Sequence, residues 1–146
     1  MEGIMVFRAR MKVCFGDIDY AGIVYYPRFL HYFHVTLEEF FEKEIGMNYP
    51  TILEKHRLGF PTVHLKTDFR QPLRYGDIIE IEIKVVHVGK TSIRWAYRAR
   101  RTSNEKVVVE GENVTVSLDM DTFERMETPE WLKQELLKYQ QRCRES

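Results

Sequence analysis

A chain of 146 residues, 44% hydrophobic and 30% charged, has the size and composition of one soluble globular domain rather than a disordered or fibrous protein. Its 22 Lys plus Arg balance 22 Asp plus Glu, so no overall charge draws it to nucleic acid or an anionic membrane. Cys14 and Cys143 form neither a metal-ligand spacing nor a disulfide framework, no apolar run approaches a membrane span, and the start lacks a signal peptide; a cytoplasmic protein with reduced thiols is expected.

In chain order, Phe7, Ala9, Met11, Val13 and Phe15 alternate with Arg8, Arg10, Lys12 and Cys14. That period predicts a half-buried strand ending at Gly16. A turn with two aspartates follows, and Pro27 stands where a helix favours its first residue. Phe29, Phe33, Leu37 and Phe40 then share one helical face, with Gly46 as the stop. His31, Glu38, Glu39, Glu42 and Lys43 lie elsewhere on the wheel. His31 and His34 are one turn apart but lack a zincin pattern, so a surface role is expected of them, and solvation of Glu38 and Glu39.

The segment "MNYPTILEKHRLG" reads as an irregular or helical connector. Beyond it the period is near two. One strand carries Val63, Leu65, Thr67 and Phe69; the next carries Ile79, Ile81, Ile83 and Val85; a third carries Ile93, Trp95, Tyr97 and Ala99. Val107 and Val109 share one parity while Val114, Val116 and Leu118 share the other, which predicts a bulge near Gly111. The last stretch, "TPEWLKQELLKYQQR", is an amphipathic helix with Thr128 as cap, Pro129 in the first helical position, and Leu132, Leu136 and Leu137 facing the domain edge. Short turns between strands predict antiparallel neighbours. The fold class is α+β: one twisted antiparallel sheet wrapped around the Pro27–Ile45 helix, plus a C-terminal helix, in a single domain over 1–146.

The stretch "FGDIDYAGIVYYPRFL" carries the chemistry. A helix N-terminus offers unpaired N–H groups and partial positive charge, suited to an oxygen that is becoming an anion. A carboxylate a few residues upstream can face the same point and serve as base or nucleophile for acyl transfer to water. Aspartate is also a common turn and cap residue, and the residues alone leave both roles open.

The pattern of Phe15, Asp17, Asp19, Gly22, Ile23, Val24, Tyr25 and Tyr26 closely resembles the signature of the 4-hydroxybenzoyl-CoA thioesterase family, a branch of the hot-dog superfamily that includes Tol–Pal-associated acyl-CoA thioesterases. The later "PLRYGDIIEI" resembles a turn and strand of the same superfamily, and the likeness runs from about Phe7 to Leu118. The resemblance implies a hot-dog fold and hydrolysis of an acyl-CoA to a free acid and CoA, without metal or cofactor. It implies that Asp19 is catalytic and that the backbone N–H of Tyr26 polarises the thioester carbonyl. Asp17 is then a turn-forming or positioning residue, and Gly22 supplies a backbone conformation or a close approach. It implies a homodimer, or a homotetramer of two dimers, with the site at the subunit interface. "GKTS" matches a turn that meets CoA phosphates, which makes Lys90 and Ser92 substrate-binding candidates. Arg98, Arg100 and Arg101 are further phosphate candidates or solubilising charges. Tyr26 stands where many Tol–Pal relatives have His, and Tyr20 where aromatic-substrate relatives have Pro, so the acyl group stays open. The alternatives are a hot-dog acyl-CoA or acyl-carrier binding or interaction module without turnover, and a hot-dog dehydratase. Against the dehydratase, no His lies between Asp17 and Tyr26.

Overall fold

A computed structural model of the chain describes residues 6–145; the other residues of the expected 1–146 domain lie outside them. The first alternation becomes β1 (Arg8–Lys12), with Ala9 turned inward and Arg8 and Arg10 outward. Val13 continues the buried side, but Phe15, expected on the same face, is 73% exposed. The backbone coils into a short 3-10 turn at Phe15–Asp17 and the strand's alternation stops before it.

Helix α1 (Arg28–Phe40) starts one residue later than expected, with Pro27 in the cap position. Its buried face holds Phe29, Phe33, Leu37 and Phe40, as the spacing predicts. A π turn at Phe41–Ile45 carries it to Gly46, whose φ of 86° is the left-handed stop. The connector holds α2 (Tyr49–Glu54), capped by Asn48, whose side-chain oxygen accepts the Thr51 N–H at 2.9 Å. Then come β2 (Leu58–Gly59), β3 (Thr62–Phe69), β4 (Ile78–Val88), β5 (Ser92–Arg101), β6 (Val107–Val116), β7 (Leu118–Asp119), β8 (Glu124–Arg125) and α3 (Glu130–Glu145).

The main sheet has the order β1-β4-β5-β6-β3, every neighbouring pair antiparallel. The expected adjacency of β3 and β4 is therefore corrected. The segment Arg70–Asp77 is a crossover rather than a hairpin turn, and it passes the end of the sheet where α1 begins. A small second sheet, β2-β7-β8, was not foreseen, because its strands are two residues long and carry no period.

The inner face of the main sheet closes on α1. Trp95 meets Phe40 edge-on, Phe33 stacks on Tyr97 with centroids 4.6 Å apart, and the Trp95 indole N–H donates to the Thr115 hydroxyl at 3.0 Å. The bulge lies at Val108, not near Gly111: pairing passes from Ala99↔Val109 to Arg100↔Val107. Gly111 answers a different need. A Cβ there would come within 2.9 Å of the Lys66 carbonyl oxygen and 3.3 Å of the Phe33 ring.

Helix α3 buries Leu132, Leu136 and Tyr139 against β4, while Leu137 stays partly exposed. The Tyr139 hydroxyl accepts the Phe7 N–H at 2.8 Å and donates to the Ile83 carbonyl at 2.7 Å, which ties three segments together. Thr128 does not cap this helix through its side chain; its buried hydroxyl pairs with that of Ser117 at 2.9 Å.

The outer face of the main sheet carries a row of alternating charges across all the strands, Arg8–Glu82–Arg98–Glu110–Arg70, with contacts of 3.2, 3.9, 3.0 and 3.2 Å. The edge strand β3 has no residue buried, although its apolar alternation predicts one covered face. Val63, Leu65 and Phe69 are 55%, 45% and 50% exposed. Helix α1 meets this strand at its end, where Phe29 packs edge-on against Phe69, and leaves Val63 and Leu65 exposed.

Candidate active site

The turn before α1 is held by the crossover. The Val13 N–H donates to the Asp77 carbonyl, Gly76 N–H to Val13, and Val24 N–H to Leu73; Ile23 and Arg74 form a further bridge. Arg101, one of the phosphate candidates, is spent here. Its guanidinium donates to Asp77 at 3.3 Å, to Gln71 at 3.1 Å and to the Pro72 carbonyl, so it fastens the crossover to β5. Arg98 sits in the outer-face row, and Arg100 on the same face reaches the Glu105 carbonyl.

The two aspartates have separate surroundings. Asp17 is 6% exposed. One carboxylate oxygen accepts the Cys14 N–H at 2.9 Å; the other accepts Arg28 Nε at 3.1 Å and Nη2 at 2.8 Å. Burial alone would raise its pKa, but the Cys14 N–H and the Arg28 guanidinium outweigh it and hold the carboxyl below its usual range. The Tyr32 hydroxyl lies against the same carboxylate, and burial together with that charge pushes its ionisation well above the normal value.

Asp19 is exposed. Its N–H donates to Ile23, its carbonyl accepts the Gly22 N–H, and its Oδ1 accepts the Ala21 N–H at 2.8 Å. This local turn fixes the carboxylate and leaves Oδ2 with no partner among the described residues. Gly22 has a φ of 81° and open space where a Cβ would stand, so of its two expected roles the backbone conformation applies.

At the helix start, the Arg28 N–H donates to the Tyr25 carbonyl and the Phe29 N–H to that of Tyr26. Pro27 has no N–H. The Tyr25 N–H donates to the Asp17 carbonyl. The Tyr26 N–H has no acceptor in the described hydrogen bonds. The turn thus places one amide without an acceptor at the positive end of α1 and one exposed carboxylate in the same loop. The rings of Tyr25, Tyr26, Phe69 and Phe29 run edge to face along this opening, with centroids 5.3 to 6.3 Å apart.

Lys90 and Ser92 are not brought to this place. Both lie at the far end of β4, a strand of 11 residues and about 35 Å from the Asp77 end. Lys90 is exposed and pairs with Glu127 at 3.3 Å. His31 is exposed, and His34 Nδ1 pairs with Glu38 at 2.8 Å on the helix surface. A hollow on the outer sheet face, floored by Ala96, does not adjoin Asp19. Among the described residues no cluster of His, Cys, Asp and Glu is placed to hold a metal ion, and no helix is long and apolar enough to cross a membrane.

Sequence reasoning passed over Arg28. A signal for it exists: a cation in the first turn of a helix opposes the macrodipole, so its charge requires a partner.

Asp17 makes stability depend on acid. Its folded pKa is depressed, so its contribution is complete above the unfolded value and is lost as pH falls through the folded one. Replacing Asp17 with Asn is expected to cost about 1–2 kcal/mol near neutral pH, since Arg28 stays partly solvated. The loss should shrink below about pH 4. Urea melts at several pH values will check it; a loss that does not change with pH would contradict the charged pairing.

Known proteins share this fold. A solved 1,4-dihydroxy-2-naphthoyl-CoA thioesterase from Synechocystis superposes with a TM-score of 0.82 at 19% identity, covering 90% of this chain and 96% of that one, and the fold is the hot-dog fold. The curated 1,4-dihydroxy-2-naphthoyl-CoA hydrolase of Synechococcus elongatus is 28% identical over 128 residues, 87% of this chain and 92% of that protein. Acyl-CoA thioesterase YbgC of Haemophilus influenzae is 27% identical over 97 residues, 66% of this chain and 71% of its own. The thioesterase-like superfamily pattern matches residues 13–136, from the end of β1 through the sheet into α3, and the chain belongs to that superfamily.

Proposed function

We propose that this protein hydrolyses acyl-CoA thioesters as a homodimer, with an aromatic acyl group as the preferred substrate class. The observation that carries the reading is the Tyr26 N–H, without an acceptor at the helix start and in the same loop as the locally fixed Asp19 carboxylate. A thioester carbonyl that accepts from Tyr26 gains negative charge on its oxygen as the tetrahedral intermediate forms, and the amide with the helix dipole stabilises that charge. Asp19 attacks the carbonyl carbon or deprotonates the water that does. Neither step needs a metal. The aromatic preference is supported by the rings around the opening and by the substrate named for the Synechococcus relative. Within the superfamily we place the chain in the 4-hydroxybenzoyl-CoA thioesterase branch, on its Asp17–Tyr26 motif, as one domain working in the cytoplasm.

Two features support a dimer. The edge of β3 is unpaired and its apolar side chains are exposed, a state that natural edge strands avoid unless something covers them. Phe69 at one end of β3 touches Tyr26, while Thr62 at the other lies on the side of the Gly89–Ser92 turn. Antiparallel pairing of two β3 edges turns the second copy's Gly89–Ser92 turn toward Asp19. Lys90 and Ser92 then serve the opposite subunit's site by binding CoA phosphates.

The reading is tested with a panel of aromatic, short-chain and long-chain acyl-CoAs, following release of free thiol. Aromatic thioesters should be cleaved with the highest kcat/KM, and no release from any member would overturn the proposal. Lys90→Ala should raise KM for acyl-CoA about tenfold and weaken inhibition by free CoA, with kcat changed little, because a phosphate contact is similar in ground and transition states. An acyl-pantetheine, which lacks the nucleotide, should be cleaved equally by mutant and wild type. An equal loss on both substrates would mean that Lys90 acts through the fold.

A further inference from the structure

Both residues that flank the Tyr26–Pro27 pair end on one anchor. The Tyr25 N–H donates to the Asp17 carbonyl at 3.0 Å, and the Arg28 guanidinium forks onto the Asp17 carboxylate at 2.8 and 3.1 Å. Asp17 is in turn tied to the end of β1, by its own N–H to the Cys14 carbonyl at 3.0 Å and by the Cys14 N–H to its Oδ2 at 2.9 Å. Asp19 follows two residues later in the same turn. The Tyr26 amide plane is therefore suspended between two tethers that share an origin with the Asp19 carboxylate. One tether is backbone and survives any substitution; the other exists only because residue 28 is arginine.

An arginine there is costly in isolation, since it sits at the positive end of α1. Its charge is also not aimed at the reacting centre, because Nε and Nη2 are both taken by Asp17. A lysine would keep the charge and lose the planar fork that fixes the angle. Resting on the thioesterase reading, we propose that Arg28 is a positioning residue: through Asp17 it sets the direction of the Tyr26 N–H relative to Asp19, and it makes no contact with the substrate. Tyr32, one turn further along α1, is buried beside this pair, and its hydroxyl has no hydrogen-bond partner among the described residues.

The test uses the full chain and the acyl-CoA that the wild type cleaves best, with Arg28→Gln, Arg28→Lys, Asp17→Asn and the double variant Asp17→Asn/Arg28→Gln. Misplacement of a catalytic group by a fraction of an ångström acts on turnover. Arg28→Gln should lower kcat about tenfold, with KM and the dissociation constant of free CoA within about twofold of wild type. Arg28→Lys should behave like Arg28→Gln, and it carries the test if the glutamine variant does not fold. The double variant should lose no more than the worse single variant, because both substitutions cut one contact. In ¹⁵N spectra the Tyr26 amide signal should move in Arg28→Gln.

Unchanged kcat would overturn the proposal, as would a defect confined to KM with weakened CoA binding, or a double variant that multiplies the two single losses. A wild type that releases no thiol from any thioester would instead overturn the thioesterase reading. The Tyr26 amide signal still decides the positioning role in that case, and a signal that does not move counts against it.

Discussion

Asp19→Asn is expected to lower kcat by about a hundredfold or more, the usual scale for losing a general base or nucleophile. The variant should fold normally. Asp19 is exposed, and its one structural duty is to accept the Ala21 N–H, which the carbonyl oxygen of an asparagine also does. KM should change little, because the thioester is held by the Tyr26 amide and the CoA contacts. Asp17→Asn should show the reverse weighting, with the larger effect on stability and a smaller one on turnover, since its carboxylate is buried and engaged by Cys14 and Arg28. Steady-state kinetics and urea melts on both variants give the comparison. If the two exchange behaviours, the motif has been assigned one aspartate out of register.

The second large effect is expected at the edge strand. Val63→Lys/Leu65→Lys places two cations on exposed apolar positions of β3, the device by which natural edges refuse a partner. Neither side chain is covered by α1, so the subunit should keep its fold and circular dichroism. Sedimentation should show a dimer in the wild type and a monomer in the variant, and kcat/KM should fall about a hundredfold or more as each site loses the contributions of the other copy. A monomeric variant with wild-type activity would show that one subunit carries a complete site.

Much of this was legible in the residues. The faces of α1 and β4 follow from periods of 3.6 and 2. The Asp17–Tyr26 turn was marked by a long motif rather than by any physical pattern, and the resemblance alone suggested separate roles for its two carboxylates; what the residues did not show was Arg28 as the partner of Asp17. The order of the sheet was not legible. The eight residues from Arg70 to Asp77 carry proline and glycine and can close a hairpin or cross two strands; which one depends on pairing energies of distant segments. Alternation in β3 says which side chains share a face, not what covers that face. The bulge was sensed from valine parity but misplaced, since glycine at 111 answers to the close approach of the Lys66 carbonyl and the Phe33 ring and not to a break in register.

The outer-face charges carry a consequence for how the chain finds its sheet. The pairing of β1 with β4 joins segments some seventy residues apart, so it must be found by search rather than by a turn. Apolar alternation cannot police that search, because sliding a strand by two residues leaves every side chain on its proper face. Charge can. A two-residue slip in one direction would set Arg8 opposite Lys84 in place of Glu82, and the same slip of β5 would set Arg98 opposite Lys84. Lys84 therefore opposes that one slip for two strands at once, while the opposite slip, which sets Arg8 and Arg98 against Glu80, meets no such repulsion. A neutral residue at 84 is expected to slow refolding slightly, read by stopped-flow, while leaving equilibrium stability almost unchanged; an unchanged refolding rate would contradict this.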